Sequence, residues 1–438
     1  MTGFRCAMAT AGELTVCDFS HSLTHSMNIL WVKPGKLLPL DSGGKLRSYN
    51  ILRQLSGRHQ LIYLSYYAGD RDDSYEREIL DRLPGTVCLN TAPAPESGSL
   101  DYLRRLLWRM PYAVSRFTVP QAQQLLSQWI SQQRFDVAVC DFLASAPNFP
   151  QKLETPTALF QHNVETILWR RRAQTEANWL DRLVSKIEYA KMARFEPAQV
   201  RRFHRVIAVS EADRDAMSAM VDPDRISVVP TGVDLSQFRY DAESEPDNRL
   251  VVFTGSMDWK PNIDGVEFFC KEIWPFILAR VPDARFRIVG RDPDSRIRNL
   301  ASDSVEVTGS VPSIVEHLRQ AAVFVVPLRI GGGTRIKIYE AMAMGKVTVS
   351  TSIGAEGLDV RDGSDFLLAD RPTQFASAVC ALLLDGEKRR RLGKSAAATV
   401  AKYDWSVVAE RFVEALQLTI EAAASAKVAA SQTTPAKL

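Results

Sequence analysis

Twice along this 438-residue chain, short apolar runs alternate with helical patterns. In the first half the strand-like runs are 28–32, 61–67, 137–140, 157–160 and 206–209. In the second they are 251–255, 286–290, 305–308, 323–327, 347–350 and 366–368. Near-continuous apolar runs suit strands buried on both faces, and the intervening helices supply the cover. The pattern predicts an α/β chain with two parallel sheets, each sandwiched between helices.

A polar stretch at 236–248, with Asp241, Glu243, Glu245 and Asp247, separates the halves and reads as a linker. At roughly 100–200 residues per domain, the length accommodates two or three domains. The expected organisation is an extension of little structure at 1–26, a first domain at 27–235, the linker, a second domain at 249–403, a helix at 404–422 and a disordered tail at 423–438. The tail is rich in Ala, Ser, Thr and Lys. The first strand begins directly after Met27, which is therefore a candidate natural start that mass spectrometry of the native N-terminus would test.

Composition narrows the function classes. Hydrophobic residues make up 46% of the chain, enough for sizeable cores, and the formal net charge of +3 argues against a nucleic-acid binder. Six scattered cysteines form no CxxC pair, so neither a zinc site nor a disulfide framework is expected, and buried thiols in a reducing cytoplasm fit. No apolar run reaches the about 18 residues of a membrane span, and no signal peptide is evident.

The stretch with most chemical content is Gly331-Gly332-Gly333-Thr334-Arg335-Ile336-Lys337-Ile338-Tyr339-Glu340. It reads as a glycine loop between a buried strand and a short helix. Amides at a helix start favour an anion, and glycines let the backbone come close to it. Arg335 and Lys337 add cations where a helix alone would disfavour them, and Glu340 is placed to accept hydrogen bonds from sugar hydroxyls. An ordinary βαβ turn with a Lys337–Glu340 ion pair fits the local pattern equally.

Gly43 and Gly44 fall in the first βα loop, a cleft position in open sheets or a plain tight turn. His162 follows the strand at 157–160, where cleft chemistry and a satisfied structural histidine are both open. Asp-x-Asp pairs occur at 70–72, 213–215, 222–224 and 292–294, but none clearly follows a central strand, and no metal site is expected. There is no GxSxG, P-loop, HExxH or clean GxGxxG. A helix expected at 100–117 interleaves Arg104, Arg105, Arg109 and Arg116 with Leu103, Leu107 and Trp108, and suits an anionic membrane surface or a core helix with solvated arginines. A second basic stretch at 168–172 opens a long helical pattern towards His204, which would face a membrane or an acidic partner.

In order along the chain, Gly43-Gly44 with Arg47, His162, Ala208-Val209-Ser210-Glu211, Pro230-Thr231-Gly232-Val233-Asp234, Phe253-Thr254-Gly255-Ser256-Met257-Asp258-Trp259-Lys260, the 331–345 segment and Ser352-Ile353-Gly354-Ala355-Glu356-Gly357-Leu358 resemble the family 4 retaining glycosyltransferases. The nearest subgroup is similar to sugar transferases of bacterial exopolysaccharide or PEP-CTERM-associated clusters. The resemblance implies a GT-B fold: two Rossmann-like domains facing across a cleft, with the last helix returning to the first domain. It implies a nucleotide-diphosphate sugar as donor substrate, a saccharide or lipid-linked acceptor, no metal or other cofactor, and a cytoplasmic site, peripheral at the inner face of the plasma membrane if 100–117 docks there. Catalytic roles fall to His162, Lys260, Arg335 and Lys337, and donor contacts to Gly43, Gly44, Gly255, Gly331, Gly332, Gly333, Thr334, Glu340, Glu356 and Leu358. Gly332 stands where the family carries the first glutamate of E-x7-E, so Arg335 and Lys337 bear more of the argument. A nucleotide-sugar epimerase of the same fold and a degenerate scaffold of a polysaccharide assembly complex are the alternatives.

Overall fold

The computed structural model describes residues 26–91, 99–132, 134–176, 178–243, 245–330 and 336–432. Gly331, Gly332, Gly333, Thr334 and Arg335 lie outside the described residues, as do 1–25 and 433–438.

The first half forms β1 (Asn28–Pro34), β2 (Gln60–Ala68), β3 (Thr86–Thr91), β4 (Val137–Asp141), β5 (Thr157–Phe160), β6 (Arg205–Ala208) and β7 (Ile226–Val228). They pair in the order β3-β2-β1-β4-β5-β6-β7, every neighbour parallel. The second half forms β8 (Asp247–Thr254), β9 (Arg285–Val289), β10 (Val305–Gly309), β11 (Ala321–Val326), β12 (Val347–Ser350) and β13 (Leu367–Leu368). Its order is β10-β9-β8-β11-β12-β13, again all parallel. Successive side chains of a strand point to opposite faces. In β1, Ile29 and Trp31 join one core, and Leu30 and Val32 the other.

Both sheets reverse their order once, between β1 and β4 and between β8 and β11. Loops leaving the strands diverge there, opening a crevice off the carboxyl ends where ligands of such sheets bind.

The alternation predicts the central strands but not β3 or β7, which are sheet edges. An edge strand buries less of itself: β3 has four half-buried or exposed residues out of six, and its apolar signal is correspondingly weak. β8 starts at Asp247, inside the stretch expected as linker. The single helix expected at 100–117 is instead Ser99–Arg105 and Tyr112–Ser115. Pro111 lies between them and has no amide hydrogen with which to continue a helix. The basic stretch at 168–172 and the pattern running on to His204 fall on two packed helices, Glu165–Thr175 and Trp179–Arg202.

The chain crosses between domains twice, side by side. The Val233 amide donates to the Tyr403 carbonyl at 2.8 Å, and the Leu235 amide to Asp404 Oδ2 at 3.4 Å. The last helix, Trp405–Gln432, then packs into the first domain, with Phe412 stacked on Trp31 at 5.1 Å between centroids. This helix continues past the expected end at 422, so 423–432 is helical and not an unstructured tail. Alanine is the strongest helix former, and Ala423 is buried. Among the described residues no helix is long and apolar enough to cross a membrane.

Candidate active site

In the first domain the site is organised around Asp141, the last residue of β4 and fully buried. Its Oδ2 accepts from Trp31 Nε1 at 2.9 Å and Ser48 Oγ at 2.6 Å, with the Lys33 ammonium at 3.7 Å. Its Oδ1 meets His162 Nε2 at 2.6 Å. Burial pushes the carboxyl up, but Lys33, His162 and Ser48 hold it down at about 2.

His162 has its other nitrogen, Nδ1, 2.7 Å from Arg47 Nη1. A guanidinium can only donate, so Nδ1 is the acceptor and Nε2–H donates to Asp141. Burial lowers His162 to about 4, against the pull of Asp141, so the ring is neutral at pH 7. Both ring nitrogens of His162, expected to carry a catalytic role, are thus engaged by protein partners, Arg47 and Asp141. Arg47 also donates to Thr231 Oγ1 at the crossover. Burial lowers its guanidinium to about 10, opposed by Asp213 and Asp141.

The His162 ring lies flat on Phe142, with centroids 3.8 Å apart and an interplanar angle of 3°. Lys33 Nζ sits 3.8 Å from the Phe142 ring centre. Phe142 has φ 70° and ψ 143°, a region close to glycine-only that costs about 1–3 kcal/mol. Gly44 makes this packing feasible: a Cβ there would lie 2.6 Å from the Phe142 ring. Gly43, beside it at the start of helix Gly43–Ser56, has its Cβ position 3.5 Å from Ile336 of the second domain. The glycine pair thus lies at the seam between the domains.

In the second domain, Lys337 lies in the first turn of helix Ile336–Ala343. Its Nζ donates to the Thr254 carbonyl at the end of β8 (2.6 Å) and to Asn262 Oδ1 (3.1 Å), and stands 4.3 Å from the Phe253 ring centre. Gly255 leaves room for this. A Cβ there would fall 2.7 Å from Lys337 Nζ and 2.6 Å from Asn262 Nδ2. A cation is thus anchored at the carboxyl end of β8, beside the reversal point. One turn on, Glu340 is half-buried, and burial raises its carboxyl to about 7 although Lys337 opposes this.

Two other expected site residues, Glu356 and Lys260, form ion pairs across the cleft. Glu356 receives both Arg171 guanidinium nitrogens across the cleft, at 2.8 and 2.5 Å. Lys260 Nζ reaches Glu176 Oε2 in the first domain at 3.2 Å. The Leu358 side chain packs against the core of the second domain. Between the domains, Asn163, Val164, Ile167, Arg171, Asp213 and Glu356 help line a cavity of about 130 Å³ that opens to solvent.

This geometry coincides with two family matches: residues 43–237 match Glycosyltransferase Family 4, and residues 248–385 match Glycosyl transferases group 1. The chain belongs to the family 4 glycosyltransferases. A phosphatidyl-myo-inositol mannosyltransferase of Mycolicibacterium smegmatis is 30% identical over 47% of this chain and 55% of its own length. A GDP-mannose:cellobiosyl-diphosphopolyprenol alpha-mannosyltransferase of Xanthomonas campestris is 30% identical over 48% and 58%. The match thus spans little more than half the length of these curated relatives. The fold is that of sucrose-phosphate synthase from Thermosynechococcus elongatus, with a TM-score of 0.67 at 17% identity, covering 90% of this chain and 99% of that one. It is also that of Anabaena HepE, solved with UDP, at 0.63 and 15%, covering 89% and 100%.

Within this family 4 chain, reading the sequence misses Asp141, Lys33, Arg171, Asp213 and Glu176 as parts of the site. Asp141 carried a signal: a carboxylate ending an otherwise apolar strand beside the first strand's lysine. Arg171 carried a partial one, as part of the basic stretch expected to face a membrane or an acidic partner, but its partner Glu356 is 185 residues away in sequence, and Glu176, 84 residues from Lys260, carried none.

Proposed function

We propose that this chain is a retaining glycosyltransferase that moves a sugar from a nucleotide-diphosphate donor to an acceptor hydroxyl. One observation carries the reading: the Lys337 ammonium fixed at the carboxyl end of β8, beside Gly255, at the order reversal of the second sheet. In the reaction the bond from the anomeric carbon to the diphosphate breaks. The acceptor oxygen attacks from the same face, and its proton passes to the departing phosphate oxygen. Negative charge grows on the diphosphate, and a preorganised cation stabilises it more in the transition state than in the ground state. Lys337, with Lys260 at the start of helix Lys260–Phe268, takes the part a metal would otherwise play, and the sequence adds the charge of Arg335 two residues before Lys337.

The acceptor hydroxyl is assigned to the cavity beside Asn163, Ser210 and Asp213. A lipid-borne acceptor in exopolysaccharide or glycolipid synthesis is the narrower reading, supported by the names of the mannosyltransferase relatives. A thermal-shift screen against nucleotide sugars tests the donor assignment. A ligand at about 100 times its Kd adds roughly 2.7 kcal/mol, and no shift with any of them sinks it. Magnetic resonance of the product's anomeric centre tests retention, and epimerised donor without acceptor identifies the epimerase alternative.

Glu340 gives a pH prediction. Only the ionised carboxylate accepts hydrogen bonds from both ribose hydroxyls, and its proton leaves near pH 7. Nucleotide affinity measured by calorimetry is expected to rise from pH 6 to pH 8 and to lose that slope in Glu340→Gln. A slope equal in both proteins refutes the ribose role.

Membrane contact is proposed through the turn between the two short helices, where Leu107 is 92% and Trp108 52% exposed, flanked by Arg104 and Arg109. Leu107→Glu with Trp108→Glu is expected to weaken sedimentation with anionic vesicles about tenfold or more, since each large apolar side chain contributes about 1.5–3 kcal/mol when buried. Unchanged binding counts against it.

A further inference from the structure

Helix Glu165–Thr175 stands at the mouth of the cleft and offers the second domain charges of both signs. Arg171 forks onto Glu356 with two hydrogen bonds. Glu176, which caps the same helix, accepts from Lys260. The N-domain cation thus meets a C-domain carboxylate, and the N-domain carboxylate meets a C-domain cation. One ion pair across a gap fixes a distance, whereas two fix a rotation as well. The fork of a guanidinium on a carboxylate adds planarity to that constraint. Ile167 and Leu168 of this helix line the cavity that Arg171 and Glu356 border.

We propose that Arg171 and Glu176 are positioning residues, forming a two-point charge clamp that sets the spacing of the domains over the cavity, and that an entering diphosphate takes Lys260 from Glu176. The second clause rests on the donor assignment above. The two arms differ in exposure in a way that suits these roles. Lys260 is 71% exposed, so its pair is weak in water and open to exchange. Arg171 and Glu356 are 44% and 38% exposed and hold both bonds of the fork, so they form the more persistent arm.

Charge reversal tests the clamp. Arg171→Glu places like charges across the cleft. It is expected to raise the radius of gyration in small-angle scattering and to lower kcat/KM about tenfold, a typical coupling for a direct charge pair. Adding Glu356→Arg rebuilds the pair with opposite polarity and is expected to recover the radius of gyration. Equal radii in wild type and Arg171→Glu, or no recovery in the double variant, overturn the clamp. Circular dichroism checks that each variant folds, and Arg171→Gln provides a neutral comparison with the same expected direction. For the exchange, calorimetry with inorganic pyrophosphate is expected to show severalfold tighter binding to Glu176→Gln. Unchanged or weaker binding overturns it. A wild type inactive with every donor would remove the transferase reading, yet the scattering would still judge the clamp.

Discussion

Replacing Asp141 by Ala is expected to cost about 3–5 kcal/mol of folding stability, the range for removing one partner of a buried charge pair. The carboxylate serves four groups at once: the Trp31 indole, the Ser48 hydroxyl, the His162 ring and the Lys33 ammonium. Without it Lys33 is left buried among apolar rings, and His162 loses the acceptor that fixes its tautomer. Asp141→Asn isolates the charge, since the amide keeps the size but presents only one acceptor oxygen. The pH dependence follows from the direction of the shift. Asp141 is held at about 2, below its ordinary 3.8, so ionisation stabilises the fold above about pH 4. That contribution is lost as pH falls through 2. Urea unfolding should therefore show the wild type and Asp141→Asn far apart at pH 6 and converging towards pH 2. A constant difference across that window would refute the assignment.

The second large effect is on turnover. Lys337→Met is expected to lower kcat by about 10²–10³-fold, the range for removing one preorganised group that faces developing charge. Methionine keeps an apolar stem against Phe253, so the packing of helix Ile336–Ala343 is largely retained. The ammonium, however, is gone from the end of β8. Because the leaving charge is greatest in the transition state, KM should move much less than kcat. An unchanged kcat with a raised KM would show that Lys337 binds donor and transition state equally, and the catalytic role would fall.

The sequence made the sheet interiors legible because buried parallel strands are apolar along their length. Val323 to Val326 and Val137 to Cys140 could hardly be anything else. It underspecified β3, β7 and the break at Pro111, where burial is partial and the local pattern weak. The candidate site was legible by position in part: Gly255 and His162 lie just past the ends of strands, and Gly44 and Lys337 in the first turns of helices. Its bonding was not. His162 carries no mark in the sequence that Arg47 and Asp141 occupy both its nitrogens. Nor does Glu356 show that it pairs with an arginine in the other domain.

The return of helix Trp405–Gln432 to the first domain has a consequence for biosynthesis. Trp405, Phe412 and Leu416 fill the same core as Ile29, Trp31 and Phe160. Those partners lie on either side of the whole second domain in sequence, so the first domain waits, with an aromatic socket open, until the second has been made in full. A nascent chain stopped at Asp404 would leave Trp31 without Phe412 stacked against it. The domain that emerges first is thus the last to close, and it is sealed only when helix Trp405–Gln432 has been made.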